Sequence, residues 1–369
     1  MKMMIRRIAL ACACLFTAVA GRAADGSWTN LAGGAWSVAA NWQGGTVASG
    51  AGSAGYFLDL GGPVLITNDV AALKLQGMVL YGGAYTLYGQ SVTFEGATAV
   101  PYGLCVSNGA HTVSSTIGVN RNIQVLTESG AALTTTGLFD YLGNYTVVKK
   151  GAGEWIFAGT CYETNANAYL DVVGGTLRLA PGAILTKRGG NRENFRVGYN
   201  GTAGRVVVGS GAALNVAGFV LGHDTAAATG YMLVDGGTLS ADTTDTGNPI
   251  LIGRYATGTL CLSNSASADI ANWLDVGVYT RGEIFLGGSS SLTAGRLSLG
   301  WKDGVASHNG PGVIVVGSGQ FSVINQFVWG ASSATARTNL FSVGNGLPGS
   351  ASLRSEERRV GKECRSRWS

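Results

Sequence analysis

The sequence is short of charge and histidine, and beyond its first 23 residues it lacks any helical period. Charged residues fill 12% of its 369 positions and histidines number three. So few titratable groups leave few candidates for acid–base or metal chemistry. Beyond Ala20 no apolar run approaches the roughly 20 residues of a membrane-spanning helix, so no span is expected in the mature chain. A glycine-rich phosphate loop needs a strand that runs into a helix, and without a 3.6-residue period there is no such setting. No cofactor is therefore expected.

The two ends differ from the rest. Lys2, Arg6 and Arg7 precede an apolar run from Ile8 to Ala20, the layout of a secretory signal peptide. Residues 1–23 are assigned to it, with cleavage after Ala20 or Ala23. Cys12 and Cys14 raise a lipoprotein alternative, against which Ala9 and Ala11 stand where a larger aliphatic residue is preferred. At the other end, residues 354–369 read RSEERRVGKECRSRWS, a charged string that resembles a translated sequencing adapter. It is treated as a non-native tail, which leaves the natural C-terminus out of view.

Setting both ends aside changes the electrostatics. The whole chain has 25 basic and 21 acidic residues; the leader removes four basic ones, and the tail removes six basic and three acidic. What remains is 15 basic against 18 acidic, a net charge of −3. Nucleic acid and anionic membranes are thus not expected partners. Only Cys105, Cys161 and Cys261 remain of six cysteines, too few and too far apart for a disulfide framework or a CxxC metal site.

What is abundant is glycine, 59 residues, together with hydrophobic residues at 46%. A short segment recurs as FRVG, FVLG, ILIG, LDVG, LSLG and FVWG, with glycines at 198, 222, 253, 277, 300 and 330. In each, the positions three and one before the glycine are apolar, from Phe195/Val197 to Phe327/Trp329. Alternate residues of a strand share a face, so one inward face repeats six times. The position between them (Arg196, Val220, Leu251, Asp275, Ser298, Val328) is free to be exposed. A second alternating strand opens on Gly204, Gly230, Gly258, Gly282 and Gly312, and a third, shorter run follows, as at 214–216. Three short strands separated by turns make one coil of about 24 residues. The expected fold is all-β, a right-handed parallel β-helix (β-solenoid), with loops inserted at 241–249 and 302–311. One coil cannot bury its inward face, whereas stacked coils bury a continuous column.

Residues 146–180 carry Lys149-Lys150-Gly151-Ala152-Gly153, then Trp155, Phe157 and Gly159, then Gly174-Gly175-Thr176-Leu177. This pattern resembles the autotransporter-associated β-strand repeat, and Gly236-Gly237-Thr238-Leu239 repeats its close. Trp28, Trp36 and Asn41-Trp42 look like the start of such passenger proteins. The resemblance spans most of residues 25–345. It implies a β-helical stalk of a bacterial protein, secreted or displayed at the cell surface in association with the outer membrane. Residues 24–145 are read as a β-rich region and the start of the solenoid, and 146–345 as the β-helix.

The pattern names a fold and no activity. His111, His223 and His308 are read as solvated loop residues, with His223-Asp224 the pair of most interest. β-Helices also support polysaccharide lyases and hydrolases, which use clustered carboxylates. The densest acidic set, Asp242, Asp245, Asp269 and Asp275, falls at different places in its units and forms no shared column. No catalytic, cofactor-binding or metal residue is therefore assigned. The expected role is a structural or adhesin-like passenger, with a surface polysaccharide or another cell-surface protein as partner. The alternative is a polysaccharide-active enzyme. A last feature is a row, Val207, Leu233, Cys261, Phe285 and Val315, that faces outward from the second strand.

Overall fold

The computed structural model describes residues 23–96, 102–163, 165, 167–188, 193–241, 250–300, 310–329, 339–343 and 352–355. Residues 1–22 of the signal peptide, most of both inserted loops, Asp242, Asp245, His308 and nearly all of the tail lie outside them.

Over these residues the chain winds as a parallel β-solenoid. Each full coil lays one strand on each of three faces, exemplified by Phe195–Val197, Gly204–Val208 and Ala213–Val216. Every inter-strand ladder is parallel and joins a strand to its counterpart one coil away: Phe195 pairs with Phe219, Val206 with Met232, Leu214 with Leu239. The second face is a single sheet of 13 strands. Faces one and three merge into one sheet because Ser267–Val276, Ser291–Leu299 and Gln320–Trp329 run through the corner between them as continuous strands. The ladder reaches back without a break to Gly26–Trp28, so residues 24–145 belong to the same winding. At the far end Ser352–Ser355 pairs with the strand before it. Arg354 and Ser355, set aside above as non-native, thus lie on the ladder, because the free edge of a sheet accepts any strand that reaches it.

The core is one column of inward side chains. Phe195/Val197, Phe219/Leu221, Ile250/Ile252, Leu274/Val276 and Leu297/Leu299 are all fully buried. The sixth pair departs from expectation: Phe327 is 39% exposed. The pairing of its strand with the next coil covers only Gln320 to Val323, so no described strand continues over Phe327.

The middle position of the first face is a second departure. Val220, Leu251, Asp275 and Ser298 are buried, although they point away from the column. Short excursions after the corner glycines, at 199–203, 223–229, 254–257 and 278–281, lie against this outer face. Val220, Leu251 and Val278 form a small separate apolar cluster there, with Tyr279 packed on it.

The lysine of the 146–180 repeat acquires a structural reason. Lys149 faces inward, fully buried, and its Nζ donates to the carbonyls of Lys150 at 2.7 Å, Gly151 at 3.1 Å and Gly174 at 3.1 Å. Gly174 belongs to the next coil, so one ammonium ties two stacked corners whose carbonyls no strand partner could reach. Lys149→Met keeps the stem and removes the donors; it is expected to lower unfolding free energy by about 1–3 kcal/mol, the cost of orphaned buried groups, read by urea titration. The closing Gly-Gly-Thr-Leu does not mark one fixed corner. At 174–177 it leads into the second face, and at 236–239 into the third.

The outward row of the second face is in register, Val207 to Leu233 to Cys261 to Phe285 to Val315. Its exposure is graded: Val207 is buried and Phe285 is 36% exposed. Phe285→Lys is expected to change stability by less than about 0.5 kcal/mol, as an outward substitution should, and to leave sedimentation unchanged. A fall in self-association would instead identify the row as a contact surface.

Candidate functional site

The excursions that cover the first face bring together the only dense set of ionisable and aromatic side chains described on the outside of the solenoid. Two of its members are ladder neighbours. Asp171 and Arg196 sit opposite each other on adjacent coils and make a two-pronged contact, Arg196 Nε donating to Oδ1 at 2.6 Å and Nη2 to Oδ2 at 2.7 Å. Their side chains are only 3% and 14% exposed, respectively. The guanidinium also lies over the rings of Tyr169, at 4.7 Å, and Tyr199, at 4.1 Å. Burial raises the Asp171 carboxyl, against the lowering effect of the Arg196 hydrogen bonds and charge.

One coil further, Glu193, His223 and Arg254 meet. His223 Nε2 is 3.1 Å from Glu193 Oε2 and 2.9 Å from Arg254 Nη1, and Arg254 also donates to Glu193 Oε1. Hydrogen bonding from His223, aided by the Arg254 charge, overcomes burial and holds the Glu193 carboxyl down at about 2. The carboxylate therefore stays ionised at any physiological pH. Rings follow one another along the solenoid axis: Tyr199 to His223 at 5.0 Å, His223 to Tyr255 at 6.3 Å, and Tyr255 to Tyr279, stacked at 4.5 Å. Arg254 lies 5.0 Å from the Tyr255 ring.

This arrangement couples its charges to each other. Asp171 is paired with Arg196, and Glu193 with Arg254. Mutually satisfied, partly buried ion pairs fix geometry more than they add stability. The cluster pins the excursions onto the stalk and presents the rings of Tyr199, Tyr255 and Tyr279 in a line.

The expectation that His111 and His223 lie solvated in loops is overturned. His223 is the hub of the outer cluster, and its Nδ1 is buried. His111 is buried inside the column, stacked on Tyr85 at 5.7 Å. Its Nδ1 accepts from the Tyr85 N–H at 3.1 Å, which leaves Nε2 as donor to the Asn108 carbonyl at 2.7 Å. Burial lowers its pKa and favours that neutral form. Asp224 is exposed beside the cluster and takes no part in it. Of the acidic set, Asp269 is exposed on the third face and Asp275 buried on the first, so the two share no column. Among the described residues no group of three or more His, Cys, Asp or Glu could hold a metal ion, and Cys105, Cys161 and Cys261 are free thiols. No helix among them is long and apolar enough to cross a membrane.

Sequence reasoning missed the cluster, yet it left a trace. Tyr199 and His223 directly follow a corner glycine, and Tyr255 and Tyr279 come one residue later. An aromatic or imidazole ring at nearly the same place in four successive coils is a column. No protein-family model matches this sequence, and neither the curated proteins nor the solved structures give a significant match.

Proposed function

We propose that the chain is an exported, adhesin-like β-helical passenger: a rigid stalk that carries a contact face at the bacterial surface. The observation that carries this reading is the one-sided layout of the excursions. Four successive coils send their loops over the same face, where paired charges lock them and a line of tyrosines remains accessible, Tyr255 being 37% exposed. A fixed row repeated at the coil spacing, ~4.8 Å per strand, suits a repeating partner such as a surface polysaccharide better than a single small molecule. Aromatic rings with polar tips supply contact area at low entropic cost. The basic leader and its apolar run support export, and the Lys149-to-Leu177 pattern supports the passenger-type reading.

The test is to incubate purified protein with immobilised bacterial and host polysaccharides and to assay both retention and product release. Retention without cleavage, weakened by Tyr255→Ala, is expected. Release of oligosaccharides would overturn the passenger reading in favour of a polysaccharide-active enzyme.

A further inference from the structure

Inside the solenoid, one part of the column is not apolar. The third-face strands Thr160–Glu163 and Ile184–Lys187 pair in register, which sets Glu163 directly against Lys187 on the next coil. Both side chains face inward and are buried, Glu163 at 1% and Lys187 at 0% exposure. Glu163 Oε1 accepts the Asn165 N–H, but among the described residues neither Glu163 Oε2 nor Lys187 Nζ has a hydrogen-bond partner. The Tyr141 ring lies 5.5 Å from Nζ, and the next residue along the ladder from Lys187 is Val216. An amine and a carboxyl buried on directly paired ladder positions, with Nζ and one carboxyl oxygen unpartnered, are costly as free groups.

We propose that Lys187 Nζ and Glu163 Cδ condense into an intramolecular amide that staples two successive coils. Parallel neighbours lie ~4.8 Å apart, and the lysine and glutamate stems are together long enough to bridge that gap. The reaction balances without oxidant or cofactor. The lone pair of the neutral amine attacks Cδ of the protonated carboxyl, and the Tyr141 phenol can donate to the oxygen on which negative charge develops. The C–O bond to the hydroxyl then breaks, and the hydroxyl leaves with a proton from nitrogen as water. Two groups held by the fold behave as an intramolecular pair of high effective concentration.

The surroundings favour the protonation states this step needs. Burial pulls the Lys187 ammonium down to about 8, against the raising effect of the Glu163 charge. It raises the Glu163 carboxyl, against the lowering effect of its Asn165 hydrogen bonds and the Lys187 charge. Burial also keeps the Tyr141 phenol protonated. The amide, being neutral, removes the cost of burying both free groups.

Intact mass spectrometry on the folded protein, after its N-terminus has been sequenced, tests the proposal. The expected mass is lower than the sequence mass by one water, with tandem spectra showing a branched peptide that joins residues 163 and 187. Lys187→Arg and Glu163→Ala are expected to restore the full mass. Glu163→Gln is expected to form the same amide by losing ammonia, ending at the same product mass as the wild type. If a variant does not fold, the wild-type branched peptide still decides. An unmodified mass, or a water loss that maps to an aspartyl succinimide elsewhere, would overturn the staple.

Discussion

Gly222→Ala is expected to lower unfolding free energy by about 2–5 kcal/mol, although it adds only one methyl group, at a buried corner. Two costs combine. Gly222 has φ of +73°, a left-handed conformation that costs a residue with a Cβ about 1–2 kcal/mol. The added carbon would also stand 2.2 Å from the carbonyl oxygen of Ala256 and 2.7 Å from its carbon, a backbone collision for which overpacking costs of about 1–3 kcal/mol apply. The collision arises because each excursion leaves the stalk and returns at nearly one point. At Gly230, where the chain re-enters the second face, a Cβ would meet Val197 O at 2.2 Å and Gly222 N at 2.4 Å.

Two controls separate these causes. Gly211→Ala shares the positive φ, +71°, but its nearest neighbour would be 4.0 Å away, so only the conformational cost of about 1–2 kcal/mol is expected. Gly287→Ala has neither burden, and should change stability by less than about 0.5 kcal/mol. Urea unfolding followed by circular dichroism ranks the three. If Gly222→Ala proved no more harmful than Gly211→Ala, the pinched-stem account would fail.

Those pinched stems also explain how far the sequence could be read. The apolar pairs and corner glycines were legible because period-two alternation reports which residues point inward at every strand. Alternation cannot report what lies on the outward side. Val220, Leu251 and Asp275 were free to be exposed on that reading, and they are buried because excursions of a few residues fold back over them. The same limitation hid His223, since its partners Glu193 and Arg254 stand 30 and 31 residues away. Long-range pairs of this kind follow from the register of the coils. The inward burial of Lys149 and Lys187 went unread for another reason. A lysine within a strand is ordinarily taken for a solvated residue, and here each occupies an inward position where the column turns a corner or turns polar. His111 was missed because its ring serves as one more plate in an aromatic series, with Tyr85 beneath it.

That series sets the second large effect. Trp36→Ala is expected to remove about 3–5 kcal/mol, the usual cost of deleting a buried aromatic ring, and to melt the N-terminal coils first. Trp36 is fully buried, with ring centroids 4.8 Å from Trp42 and 5.6 Å from Phe57, and its Nε1 donates to the Ala48 carbonyl at 2.9 Å. Trp42 in turn packs edge-on against Trp28 at 5.2 Å and donates its own Nε1 to the Trp36 carbonyl at 2.7 Å. Phe57 passes the contact to Tyr85 at 5.4 Å. A solenoid is stabilised coil by coil through nearest neighbours, and the first described coil has a described neighbour on one side only. Three interlocked tryptophans compensate, each with its indole N–H satisfied by a backbone carbonyl. Removing the Trp36 ring opens a cavity and leaves the Ala48 carbonyl without its donor. Hydrogen exchange read by mass spectrometry should therefore show protection lost over residues 26–87 before it is lost over 195–286. Uniform loss along the whole ladder would mean instead that the stalk unfolds as one unit and that the tryptophans have no special hold on its first coils.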